Sequence, residues 1–179
     1  YLKSHPEAAF SVSATTRRPR PGEADGVNYW FVTRERFEEM IAKGEVLEHT
    51  QYNGNYYGSP AGPIREQLAA GRDVILEIEV DGAMQVKERF PEALLIFVMP
   101  PSFRELERRL TGRGTESREE IQGRLAAARQ EMAMAPRYDY ILVNDDVAGA
   151  AGRLAGLIQA GKWVPARCGE LLRGFLEEE

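Results

Sequence analysis

Leu94-Leu95-Ile96-Phe97-Val98-Met99-Pro100-Pro101-Ser102-Phe103-Arg104-Glu105 holds a complete passage from strand to helix. The apolar run 94–99 reads as a buried strand. Pro100 and Pro101 then break it, since neither has an N–H to give to a ladder. Ser102 and Glu105 follow at the S-x-x-E spacing of a capping box, in which hydroxyl and carboxylate satisfy backbone donors reciprocally. The same punctuation recurs at Ser117-Arg118-Glu119-Glu120. Behind it, Ile121, Leu125, Ala128 and Met132 form an apolar stripe at helical spacing. Residues 140–143 read as a last buried strand and 150–160 as the helix after it.

Upstream the alternation continues. Residues 34–43 predict a helix with Thr33 as N-cap, Phe37, Met40 and Ile41 at helical spacing, and Gly44 placed to end it. Residues 63–70 predict another, closed by Gly71. Residues 74–80 read as a strand with Glu77 and Glu79 on one face, and residues 10–13 as a further strand. Strands alternating with helices imply an α/β fold, a parallel sheet covered by helices on both faces. The tail 168–179 alternates apolar and charged residues at helical spacing and is expected as a terminal helix packed on the domain.

A chain of 179 residues with 43% hydrophobic content can bury a core without disulfides, and a single domain is expected. The formal net charge of −5 weighs against wholesale electrostatic binding to nucleic acid. Cys168 stands alone and can form no internal disulfide, while His5 and His49 are too far apart in sequence to suggest a metal cluster. Neither a long apolar run nor a secretory signal is present, so no membrane partner is expected and the cytoplasm is the default location.

Two segments carry chemistry. In Phe10-Ser11-Val12-Ser13-Ala14-Thr15-Thr16-Arg17-Arg18-Pro19-Arg20, three arginines stand beside four hydroxyls. The planar guanidinium fork bonds two phosphate oxygens at once and stays charged at any working pH. An anion site therefore outweighs a solvated charge run, which would use Lys and Glu. The second segment is Glu48 followed by Tyr52-Asn53-Gly54-Asn55-Tyr56-Tyr57-Gly58-Ser59-Pro60. It offers hydroxyl donors, an acceptor-only carboxylate and two glycines that let backbone turn or approach closely. Read structurally, the same residues make a Tyr-rich hairpin, since N-G marks a tight turn. A ligand matching both segments carries a phosphate at one end and paired N–H donors, as on guanine, at the other.

Together these segments resemble guanylate kinase. The resemblance runs in order through S-A-T-T-R-R-P-R-P-G-E-A-D-G-V-N-Y-W-F, F-E-E-M-I-A-K-G-E-V-L-E-H, G-N-Y-Y-G-S-P, V-I-L-E-I-E-V-D-G, R-R-L-T-G-R-G-T-E-S and I-L-V-N-D-D, from Phe10 to Asp146. It implies a three-layer, P-loop-kinase-like parallel sheet with helices on both faces. A core of residues 1–13, 72–111 and 125–179 would carry an inserted GMP-binding lobe at about 14–71 and a short lid at about 112–124.

By the same resemblance, Ser13, Arg17, Arg20, Tyr29 and Tyr57 grip the GMP phosphate, with Arg18 outside that set. Glu48 and Glu79 accept from guanine N1–H and N2–H, and Ser59 donates towards O6. The family commonly has Asp at position 79, so this carboxylate is one methylene longer and Glu77 is its alternative. Arg109, Arg113 and Arg124 are the catalytic cations. Arg109 and Arg113 also touch ATP, as does Asn144, which reads equally as a helix cap.

The implied reaction moves the ATP γ-phosphoryl group to GMP or dGMP, with Mg²⁺ accompanying ATP. The family's G-x-x-x-x-G-K-[ST] loop, which cradles donor phosphates, is not among these residues, and residue 1 is Tyr; the expectation is that it lies upstream. Two other activities fit parts of the pattern: a non-catalytic guanylate-kinase-like module binding phosphorylated peptides, and a kinase for another nucleoside monophosphate.

Overall fold

The computed structural model describes residues 1–112 and 117–177. The chain divides into two compact units, Leu2–Pro91 and Tyr1 with Glu92–Glu179.

In the first unit a parallel pair joins β1 (Ala9–Phe10) to β6 (Val74–Ile75). Residues 10–13 are therefore not one strand. Ser11 still donates its N–H to Ile75 O at 2.9 Å, and the chain then leaves this pair for a second sheet. That sheet has the order β3 (Trp30–Phe31), β2 (Ala14–Thr15), β5 (Asn55–Pro60), β4 (Val46–Tyr52). β2 and β3 run parallel, and β5 is antiparallel to both β2 and β4. The β4–β5 connection is the expected hairpin, with Asn53 (φ 47°) and Gly54 (φ 74°) in the left-handed conformations of a tight two-residue turn. All four strands fall within residues 14–60.

Helix α1 (Arg34–Ala42) forms where expected, with Thr33 accepting the Arg36 N–H at 3.2 Å. It buries Phe37 and Met40 with Ala14 and Val46 in one apolar cluster. Helix α2 (Ala61–Ala69) packs Ala61 and Ile64 with Leu47 in another, flanked by Val74, Leu76 and Phe90.

The strand expected over 74–80 is confined to Val74–Ile75, paired with β1. Glu79 instead precedes helix α3 (Val80–Arg89), which the sequence reading did not foresee. Its signal was the spacing of the buried Ala83 and Val86 with the half-buried Phe90, masked by the period-two run before it.

In the second unit β7 (Ile96–Met99) pairs in parallel with β8 (Tyr140–Val143) in continuous register. Helices α4 (Phe103–Gly112) and α5 (Arg118–Ala133) lie between them in the chain. Ser117 and Glu120 form a full capping box. Ser102 makes only half of one: its hydroxyl accepts the Glu105 N–H at 3.1 Å, while the Glu105 carboxylate turns to Arg108 and Arg109. Part of the expected lid, residues 118–124, is the start of α5.

Helix α6 (Val147–Gly161) is N-capped by Asp146, and α7 (Gly169–Leu176) ends the described chain. The expectation that this tail packs on the domain does not hold. Leu171, Leu172, Phe175 and Leu176 are all exposed. The segment is held one turn earlier, where Arg167 Nε–H donates to Glu92 O at 2.9 Å.

Candidate functional site

The site grows from β5. Successive strand side chains alternate, so Tyr57 and Ser59 share a face opposite to Tyr56 and Gly58. On the Tyr56 side, its ring stacks on Phe37 with centroids 5.1 Å apart. The strands close so tightly here that a Cβ on Gly58 would lie 2.6 Å from Glu48 O. Gly58 thus serves strand against strand and not strand against ligand, whereas Gly54 makes the turn.

At one end of the Tyr57 face stands a cluster of one arginine, three aromatic rings and a carboxylate. Arg17 lies 5.4 Å from the Tyr29 ring centroid and 5.9 Å from that of Phe31. The Tyr29 and Tyr57 rings meet edge-on at 6.0 Å. Glu23 closes the cluster with a bidentate pair, Arg17 Nη1 and Nη2 donating at 3.0 and 2.9 Å. The Arg20 backbone N–H adds a bond to Glu23 at 2.7 Å. These donors, Arg17 first, hold the Glu23 carboxyl below its usual range. Glu23 in turn keeps Arg17 firmly charged, with a smaller contribution from a hydrogen bond involving Tyr57.

Glu23 was missed in the sequence. Its signal is Pro21-Gly22, where Gly22 at φ 85° folds the chain back towards Arg17. Ser13 is half-buried, and its carbonyl accepts the Trp30 N–H at 2.9 Å, while Arg20 is exposed.

At the other end lies a buried carboxylate. Glu48 is only 3% exposed, and the fully buried Ser59 donates its hydroxyl to Oε1 at 2.7 Å. Burial pushes the Glu48 carboxyl up, offset in part by the Ser59 hydroxyl and backbone N–H. The hydroxyl has one hydrogen, so donation to guanine O6 would require Ser59 to turn off the carboxylate. Glu79 is exposed and stands at the N-cap of α3, and Glu77 is exposed as well.

In the second unit Arg109 donates Nε–H to Glu105 at 2.7 Å and Nη2–H to Asp145 O at 3.2 Å. The Arg108 and Arg109 bonds hold the Glu105 carboxyl at about 2. Arg109 thus reaches the loop bearing Asn144, whose N–H donates to Met99 O at 2.7 Å, continuing the strand ladder. The helix cap beside it is Asp146 and not Asn144. Arg124 is exposed on α5, and Arg113 lies outside the described residues. Among the described residues no group of three or more His, Cys, Asp or Glu could hold a metal ion, and no helix is long and apolar enough to cross a membrane.

An arginine cluster and a buried carboxylate on one small sheet, together with parallel β–α units, are the parts of a nucleotide-binding transferase. A profile of the guanylate kinase family matches residues 2–161. The chain is 54% identical over 151 residues to a guanylate kinase of Halalkalibacterium halodurans, covering 84% of this chain and 74% of that one. It is 48% identical over 178 residues to a guanylate kinase of Clostridioides difficile, covering 99% and 87%. The crystal structure of guanylate kinase from Anaplasma phagocytophilum superposes with a TM-score of 0.80 at 34% identity, over 99% of this chain and 89% of that one. The chain belongs to the guanylate kinase family and is a kinase, a phosphotransferase of mixed α/β fold.

Proposed function

We propose that this kinase transfers the γ-phosphoryl group of ATP to a phosphate oxygen of GMP, giving ADP and GDP. The observation that carries the reading is the two-ended face of the β2–β5–β4 sheet: Arg17, Tyr29 and Tyr57 at one end, buried Glu48 with Ser59 at the other. Arg17 suits the phosphate by its fork and permanent charge. An ionised Glu48 suits guanine, whose N1–H and N2–H it accepts side by side. Adenine offers no such pair, and AMP would leave the buried carboxylate unmatched. Arg20 adds charge at the phosphate end, and Ser13 a hydroxyl.

The acceptor oxygen is already anionic, so no strong base is needed. One P–O bond to ADP breaks as one to GMP forms, and the protein's task is positioning and charge neutralisation. Arg109, with Arg113 and Arg124, supplies cations for the transferring group, and Asn144 contacts the ATP base. Mg²⁺ enters as the companion of ATP. The cytoplasm is the proposed compartment, and nothing in the comparisons favours the phosphopeptide-binding module.

ADP release with ATP and each of GMP, dGMP, AMP and UMP tests the reading. Turnover with GMP and dGMP far above AMP and UMP is expected. A folded full-length protein that makes no ADP with GMP would overturn it.

A further inference from the structure

β4 breaks the alternation of a regular strand just where Glu48 stands. Val46 pairs with Pro60 and His49 with Gly58, so three steps along β4 match two along β5. Cross-strand partners share a face, which leaves Leu47 and Glu48 together opposite Ser59: a β-bulge. Bulges bend a strand and re-aim a side chain. Here Val46 joins the Phe37 cluster and Leu47 the Ile64 cluster, while Glu48 meets Ser59. Unbroken alternation counted from Val46 would put Glu48 on Val46's face, towards the Phe37 core.

Helix α3 holds this irregularity through residues three and four apart on one face. β4 is the outer strand of its sheet, so its outward backbone groups need partners. Gln85 provides two at once: Oε1 accepts the His49 N–H at 3.2 Å and Nε2–H donates to His49 O at 2.9 Å. Arg89 Nη1–H bridges Val46 O at 3.3 Å and Leu47 O at 2.6 Å, the carbonyls leading into the bulge. One turn before Gln85, buried Gly82 leaves room for the carboxylate itself. A Cβ there would lie 2.5 Å from Glu48 Oε2.

We propose that the Gly82–Gln85–Arg89 face of α3 is the positioning device that sets guanine selectivity, by clamping the β4 bulge and reserving the space for the Glu48 carboxylate. This rests on the reading of Glu48 as the guanine acceptor. Gly82 is informative because the atom a methyl group would strike is the free end of a side chain. The fold can absorb Gly82→Ala by moving the carboxylate, and that movement spoils its aim.

The test is steady-state kinetics on the full-length enzyme with GMP and with IMP, whose base keeps N1–H but lacks the 2-amino group. Gly82→Ala, Gln85→Leu and Glu48→Gln are compared, with Tm and the KM for ATP followed alongside. Gly82→Ala should lower the GMP-over-IMP preference roughly 5–150-fold, the range of one paired base contact. The loss should fall on the GMP KM more than on kcat, and approach that of Glu48→Gln. Gln85→Leu should shift the preference in the same direction by less. If Glu48→Gln loses the preference while Gly82→Ala and Gln85→Leu keep it, with or without a lower Tm, the positioning role is overturned and the Glu48 reading stands. If Glu48→Gln itself keeps the preference, that reading falls and this inference with it.

Discussion

The two ends of the nucleotide face are built on opposite plans. The phosphate end is local and partly open: Arg17, Glu23 and Tyr29 lie within thirteen residues, and the Arg17 and Glu23 side chains keep 15% and 18% exposure. The base end is non-local and closed, with Glu48, Ser59 and Gly82 drawn from three elements into a space where Glu48 is 3% exposed. A permanent charge attracts any nucleotide from outside. A buried carboxylate attracts weakly, but punishes a base that fails to meet it. If the two ends bind phosphate and guanine as proposed, the first should supply affinity and the second choice.

That division is easiest to break at Arg17. Replacing it with Ala removes about two charge-assisted hydrogen bonds to phosphate, each worth roughly 1.5–3 kcal/mol, so kcat/KM for GMP should fall about 10²–10⁴-fold. The fall should be equal for GMP and IMP. Unequal losses would mean that the two ends do not divide the work in this way.

Gly58 lies beneath the base end and tests the packing there. Gly58→Ala would drive a methyl into Glu48 O and Phe37. Such overpacking costs about 1–3 kcal/mol, or roughly 2–12 °C in Tm for a chain of this size. An unchanged Tm would show that the strands can part without penalty. Glu23→Gln is milder. If Glu23 holds Arg17 in position for the phosphate, its loss should raise the GMP KM roughly 3–10-fold. A lowered KM would instead make Glu23 a competitor of the phosphate.

The same contrast governs what the sequence revealed. The arginines, Thr33 ahead of α1, the Asn53-Gly54 hairpin and strand β8 are written in neighbouring residues, and all four were read from them. Glu48 was picked out by its chemistry, but its partners were not. Ser59 as its donor depends on a bulge set by the register of two strands. Gly82 depends on α3, and α3 was hidden because V-I-L-E-I-E-V alternates like a strand. Among the described residues the run pairs only as far as Ile75. In the tail the apolar spacing of α7 was legible, but spacing cannot say whether a helical face finds something to cover it.

The smallest predicted effect separates the two ends by titration. An ionised Glu48 is disfavoured by burial, so its carboxyl titrates above the ordinary 4.5. Below 4.5 the group is protonated in both folded and unfolded chains and no ionisation penalty exists. As pH rises from 4.5 towards the raised value, the unfolded chain ionises freely while burial keeps the folded carboxyl protonated, and stability is lost. Glu48→Gln cannot ionise and escapes this loss, while every other carboxylate is shared by the two proteins and cancels in the difference. The Tm of Glu48→Gln minus that of the wild type should therefore grow as pH climbs from about 4 to 8, by about 2–4 °C for each kcal/mol of relieved burial. Glu23, held low by Arg17, predicts the reverse trend: Glu23→Gln should lose Tm relative to the wild type as pH rises through the carboxylate range. Parallel Tm curves for the two variants would erase the distinction between a carboxylate kept in place by a cation and one buried to read a base.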